Sequence, residues 1–244
     1  MKMENHDKLP DTIEGAGKHH ETEKPHSHPP GGFRIQMAGE DMVLTPITVE
    51  QPNPTGLQIL EAAGCVPAED HALIQLLLPG TRLVGLDDQV SPREQEERVF
   101  RAFRGGEVFL FTIDGHGYEW GAPEIREAVL RYVAAVSEEM VFVLKDGDEE
   151  REVKDGESVR LSHAGVEHLH TRPKMVTVTL DGEEKIIPAG VYTTEELLNI
   201  LGVEPGYLLN VMRADQLITL RPNERLHVKD GMIFISQVPG GASS

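Results

Sequence analysis

From Phe33 onward one order of signals recurs three times, and that recurrence limits the fold more than any single motif. Each repeat opens with an alternating strand and a tight turn, and a second short strand leads to a helix. A further strand, a polar stretch and a closing strand follow. The openings are Phe33-Arg34-Ile35-Gln36-Met37, Val108 to Ile113, and Val176-Thr177-Val178-Thr179-Leu180. Their turns are Ala38-Gly39-Glu40, Asp114-Gly115-His116-Gly117 and Asp181-Gly182. Asp-Gly between alternating strands supplies the positive φ that a two-residue hairpin needs. The helices give the best register. Thr55-Gly56-Leu57-Gln58 and Thr193-Thr194-Glu195-Glu196 are capping boxes, stopped by Gly64 and Gly202 at the same spacing. Pro67 and Pro205 follow those glycines at equal distance. The middle repeat predicts a helix over Pro123–Val133, with Pro123 in its first turn and Ile125, Val129, Tyr132 and Val133 on one face.

The closing strands read Leu73 to Leu77 with Val99-Phe100, Met140 to Leu144 with Val166 to Leu169, and Leu208 to Met212 with Met232 to Ile235. About 70 residues of this order bury their faces in few ways: one sheet face takes the helix, and the first and last strands pair through a right-handed crossover. The prediction is α+β, three tandem ubiquitin-like β-grasp domains at 33–104, 107–171 and 174–238. Residues 1–32 form an arm rich in His, Pro and Lys, with too little apolar surface to offset ordering, and 239–244 form a tail. Gly105-Gly106 joins the first two repeats and Thr171-Arg172-Pro173 the next two. Gly105-Gly106 reads as a short hinge, with cleavage there as the competing reading, and these short linkers predict limited contact between repeats.

A formal charge of −18 argues against nucleic acid and anionic membrane as partners, both of which require basic surface. The single cysteine, Cys65, excludes an internal disulfide and reads as a small structural residue. No signal peptide or apolar run of spanning length is visible, so a cytoplasmic location is expected. His163, Glu167, His168 and His170 are the richest metal-like group in the folded region, but alternation on a surface strand gives the same pattern, and no metal or other cofactor is expected. Asp87, Asp88 and the acidic residues Glu94, Glu96 and Glu97 read as solvated faces. No nucleophile elbow, phosphate loop or dinucleotide fingerprint appears, and modules this small leave little room for a catalytic cleft; a non-enzymatic role is expected.

The last repeat runs from Phe234-Ile235-Ser236 into Gln237-Val238-Pro239-Gly240-Gly241-Ala242-Ser243-Ser244. Three repeats and this tail resemble the bacterial multi-ubiquitin-domain proteins, ubiquitin-like modifiers encoded beside activating, conjugating and deconjugating enzymes. The resemblance covers about residues 33–241. It implies that a peptidase cuts between Gly241 and Ala242. An E1-like enzyme then adenylates the Gly241 carboxylate, and an E2-like enzyme passes it to target proteins, with antiphage defence as an associated role. Gly240 is the companion glycine that lets the tail lie extended. The tail lacks the basic, leucine-rich approach of eukaryotic ubiquitin, so a different enzyme set must read it. Lys2, Lys8, Lys18 and Lys24 in the arm are candidate acceptors on the chain itself, and self-association is open. The alternative is a β-grasp scaffold that binds partners without a covalent bond; a sulfur carrier ranks below both.

Overall fold

The computed structural model describes residues 32–91 and 98–239. In the first repeat, β1 (Phe33–Ala38) and β2 (Leu44–Val49) form a hairpin. After them come α1 (Gly56–Ala62), β3 (His71–Leu76), β4 (Thr81–Val84) and β5 (Val99–Arg104). The sheet order is β2-β1-β5-β3-β4, with β5 parallel to β1 and antiparallel to β3. Thr55 caps α1 as expected: its hydroxyl accepts from the Gln58 amide, and the Gln58 side chain accepts from the Thr55 amide. Gly64, at φ +77°, ends the helical turn.

The second repeat comprises β6 (Phe109–Ile113), β7 (His116–Trp120), β8 (Glu124–Arg126), α2 (Glu127–Ala134), β9 (Met140–Asp146), β10 (Glu149–Glu152), β11 (Ser158–Arg160) and β12 (Glu167–Pro173). The third comprises β13 (Met175–Leu180), β14 (Glu183–Pro188), β15 (Gly190–Thr193), α3 (Thr194–Leu201), β16 (Leu208–Arg213), β17 (Gln216–Thr219), β18 (Arg225–Val228) and β19 (Ile233–Gln237). Their five-stranded sheets, β7-β6-β12-β9-β10 and β14-β13-β19-β16-β17, repeat the order of the first. Each also carries a two-stranded accessory pair, β8 with β11 and β15 with β18; the first repeat reduces this to a single bridge between Thr55 and Gln89.

Two expectations change at the local level. Glu124–Arg126 is a strand, because its backbone groups pair with Ser158–Arg160, so the middle helix begins at Glu127 and Pro123 lies outside it. Thr171–Pro173 do not form a free linker: they extend β12, pairing with Phe142, Val141 and Met140 of β9.

The larger change concerns how repeats meet. The first sheet is buried on both faces. Ile35, Leu73 and Phe100 pack with Ile59 and Leu60 of α1. On the opposite face Ala72, Ile74, Leu76, Val99 and Phe103 join one continuous cluster with Trp120, Val129, Val133 and Phe111 of the second repeat. Phe103 meets Trp120 edge-on at 4.8 Å between ring centroids. A Cβ on Gly121 would stand 2.6 Å from the Phe103 ring, so this approach requires glycine. The sheet edges are also bridged: the Glu119 amide donates to Thr81 Oγ1 at 2.7 Å, and the Leu83 amide donates to the Glu119 carboxylate at 2.5 Å. The expectation of limited contact about a glycine hinge therefore fails for the first pair.

It holds better for the second and third repeats. The third has its own core of Val178, Leu197, Leu209, Val211 and Phe234. Links across that junction include a hydrogen bond from the Lys174 amide to the Glu139 carbonyl at 2.7 Å and a His227–Glu139 pair at 3.2 Å.

Two predictions follow from this packing and capping. Phe103→Ala is expected to cost about 3–5 kcal/mol, as for other buried aromatic deletions, and to red-shift the emission of Trp120, the only tryptophan. Urea denaturation followed by fluorescence checks both. The second concerns acid. In α3, Glu196 accepts from the Thr193 amide and hydroxyl at 2.7 and 3.0 Å, and those bonds hold its carboxyl below the usual range. Glu157 is held down likewise, first by the Lys154 amide and then by Arg151. A lowered folded pKa gives stability that is present above the ordinary carboxylate value of 4.5 and lost as pH falls through the folded value. The urea midpoint is thus expected to drop below about pH 4.5, and to drop less in Glu196→Gln.

Candidate functional site

Gly240, Gly241 and Ala242 lie outside the described residues, as do Lys2, Lys8, Lys18, Lys24 and the acidic residues Glu94, Glu96 and Glu97. What the structure does describe is the base from which the tail departs. β19 lies at the centre of its sheet, parallel to β13 through Thr179–Ile233 and Leu180–Phe234 and antiparallel to β16 from Leu208–Gln237 to Val211–Phe234. Phe234 is fully buried beneath α3, which fixes the strand by hydrophobic contact.

Its last rungs are held by polar groups. Asp181, at the turn of the β13–β14 hairpin, accepts from the Ser236 amide at 2.8 Å and from the Ser236 hydroxyl at 2.6 Å, while its own amide donates to the Phe234 carbonyl. The buried Asn210 side chain adds a bond to the Ile235 carbonyl at 3.1 Å and accepts from Thr219. Beyond Gln237 the chain leaves the ladder, and Val238 is 60% exposed.

The same clamp occurs in the second repeat. Asp114 accepts from the Thr171 amide and hydroxyl, each at 2.8 Å, and donates its amide to Leu169. Both aspartates sit at positive φ, 49° and 52°, a conformation that Asp tolerates and that the following glycine relieves. In the first repeat Ala102 occupies the place of Thr171 and Ser236 and has no hydroxyl to give. The sequence reading took Asp-Gly only as a turn signal and missed this role. The available sign was a hydroxyl residue two positions beyond the buried residue of the closing strand.

Gly105 and Gly106 are both exposed, with open space where each Cβ would stand. Gly105 is at φ +104° and its amide donates to the Asp70 carbonyl at 2.7 Å. The two glycines turn the chain between β5 and β6 while Phe103, just before them, is held in the shared core.

The histidines do not converge. His163 stacks on Phe109 and faces Glu107 at 3.3 Å; His168 bonds to Thr112 at 2.8 Å; His170 faces Glu150 at 3.9 Å. Among the described residues no three His, Cys, Asp or Glu side chains are grouped as a metal would need. Cys65 is half-buried and burial pushes its thiol pKa up, away from the reactive thiolate. Among the described residues no helix is long and apolar enough to cross a membrane.

No curated protein matches the chain. A family model described as Multiubiquitin matches residues 109–174, which span the second repeat from the start of β6 to the end of β12. The chain therefore carries a multiubiquitin-like domain, flanked on each side by a repeat with the same sheet order.

Proposed function

We propose that the protein is a three-domain ubiquitin-like modifier, each repeat a β-grasp domain, whose third repeat presents Gly241 for conjugation. The observation that carries this reading is the anchored exit of β19: the strand is clamped by Asp181 up to Ser236, and Val238 then stands free of the sheet. A tail that must enter an activating enzyme needs a fixed base and a chain beyond it that no ladder holds. The Multiubiquitin match to the second repeat and the shared sheet order support extending the fold to all three. In this reading a peptidase hydrolyses the Gly241–Ala242 bond and releases the carboxylate. An E1-like enzyme adenylates it, and an E2-like enzyme delivers it to a target amine. The arm lysines Lys2, Lys8, Lys18 and Lys24 are candidate acceptors within the chain.

The non-covalent scaffold reading has one observation in its favour. Leu208, Leu217 and Ile233 of the third repeat are 40%, 48% and 43% exposed on the sheet face opposite α3. One experiment separates the two readings. The protein is co-expressed with E1-like, E2-like and peptidase enzymes of the kind the modifier reading requires, and its intact mass and denaturant-resistant adducts are measured. The modifier reading predicts loss of the mass of Ala242-Ser243-Ser244, higher-mass adducts, and no adducts from Gly241→Ala at an unchanged melting temperature. Full-length chain without adducts, alongside active enzymes, favours the scaffold.

A further inference from the structure

The second and third repeats keep separate hydrophobic cores, and one residue, Glu139, serves their junction twice. Its carbonyl accepts from the Lys174 amide at 2.7 Å, and its carboxylate faces His227 Nε2 at 3.2 Å. The Lys174 carbonyl in turn accepts from the Ala189 amide of the third repeat at 2.7 Å, so the backbone of Lys174 is tied to both sides. Among the described residues, His227–Glu139 is the only ion pair that joins a side chain of the second repeat to one of the third. Both partners stand on firm mounts. Glu139 lies in the turn 137–140, closed by the Met140 amide on the Ser137 carbonyl at 3.2 Å. Arg131 of α2 donates to the Ser137 and Met140 carbonyls and is itself fixed by Glu127. His227 stands on β18 between Leu226 and Val228, which are buried in the third core. A change of force between the two side chains therefore acts between two packed bodies instead of being absorbed by a loop.

The charge on one side of this pair is constant over the range in which the other side changes. A hydrogen bond from Ser137, then one at its own amide, and last the charge of His227 hold the Glu139 carboxyl below the ordinary value of 4.5. Histidine gains or loses its charge between about pH 5 and 8. The surroundings of His227 add no second anion. Arg225 and Lys229 flank it on the exposed side of β18, β15 sets Val191 opposite it, and Glu196 of α3 acts on Arg225. Lys174 spends its ammonium on Asp155 at 3.6 Å. We propose that Glu139 and His227 form a pH-dependent latch between the second and third repeats. Protonated His227 holds the third repeat against the turn 137–140, and neutral His227 frees it to move about Lys174. A neutral imidazole still donates one N–H to the carboxylate, but a charge-assisted bond is roughly twice as strong. The sign follows from linkage: a histidine that gains an anionic partner on closure favours closure at low pH, and that contribution is lost as pH rises through its closed-state value. The latch does not rest on conjugation of Gly241, since neither residue belongs to the tail or to the Asp181 clamp.

The test measures residual dipolar couplings of the full chain at about pH 5.5 and 8.5, on either side of the histidine range, at one low ionic strength. Couplings from the second and third repeats are fitted separately, and their relative alignment reports how firmly one is held to the other. At the lower pH one common alignment is expected for both repeats. At the higher pH the third repeat is expected to align more weakly, with the ratio of latched to free molecules about two- to five-fold lower, the size of effect measured for exposed ion pairs. His227→Gln and Glu139→Gln, both at exposed or half-exposed positions, are each expected to show the high-pH alignment at both pH values. His227→Arg, which keeps its charge, is expected to show the low-pH alignment at both. Equal relative alignment of the wild-type repeats at the two pH values overturns the latch. So does a pH response that persists undiminished in His227→Gln, because it would then belong to another titrating group.

Discussion

The packing of Phe103 against Trp120 turns the first two repeats into one hydrophobic unit. A module of some 70 residues buries a smaller share of its surface than a larger domain and is correspondingly marginal. Here the first sheet gains a second buried face, with Ala72, Ile74, Leu76 and Val99 removed from water in addition to the residues beneath α1. A fully buried aliphatic side chain contributes about 1.5–3 kcal/mol. The outer face of that sheet is thereby withdrawn from any external partner. The half-buried Arg101 and the Trp120 N–H, which has no acceptor among the described residues, are consequences of the same closure, since both sit where two surfaces meet that were not fully matched in polarity.

The second recurring device is polar. Asp114 and Asp181 each tie a hairpin turn to the closing strand of the same sheet, through both the amide and the hydroxyl of Thr171 or Ser236. A parallel pair such as β13–β19 has only two residue pairs in register. An ionised acceptor bound to two donors therefore adds substantially to the hold on its end. The clamp is present in the second repeat, where the closing strand leads on into β13, and in the third, where it holds β19 up to Ser236. It is absent in the first repeat, where the chain turns at Gly105 and Phe103 supplies the anchor through hydrophobic contact instead.

Much of this was legible in local sequence. The two capping boxes, the Asp-Gly turns, the glycine helix stops and the order of strands depend on neighbouring residues, and each appears where the residues put it. The misreadings concern pairing between distant segments. Glu124–Arg126 looks like the first turn of a helix because Pro123 favours one, yet Ser158–Arg160 claims its backbone groups. Leu73-Ile74-Gln75-Leu76-Leu77 reads as a strand with one face on the helix, although an almost continuous apolar run is the mark of burial on both sides. That run announced the shared core without naming what would cover it. The enclosure of Trp120 was not legible, because it arises only when β5 and β7 come together.

The division of the cores also bears on how a tail could be used. Opening of a protein occurs in cooperative units, each roughly a region that shares one packed cluster. The first two repeats share such a cluster, while the third has its own, joined to the second by polar links such as Lys174–Glu139 and His227–Glu139. Fluctuations at β19 are then set against the third core alone. Conversely, an event that loosened Phe103 would disturb the first two repeats and leave the Asp181 clamp in place. The chain thus separates a fused pair, where surface is withdrawn, from a singly cored repeat, where the strand leading to Gly240 is held at its base.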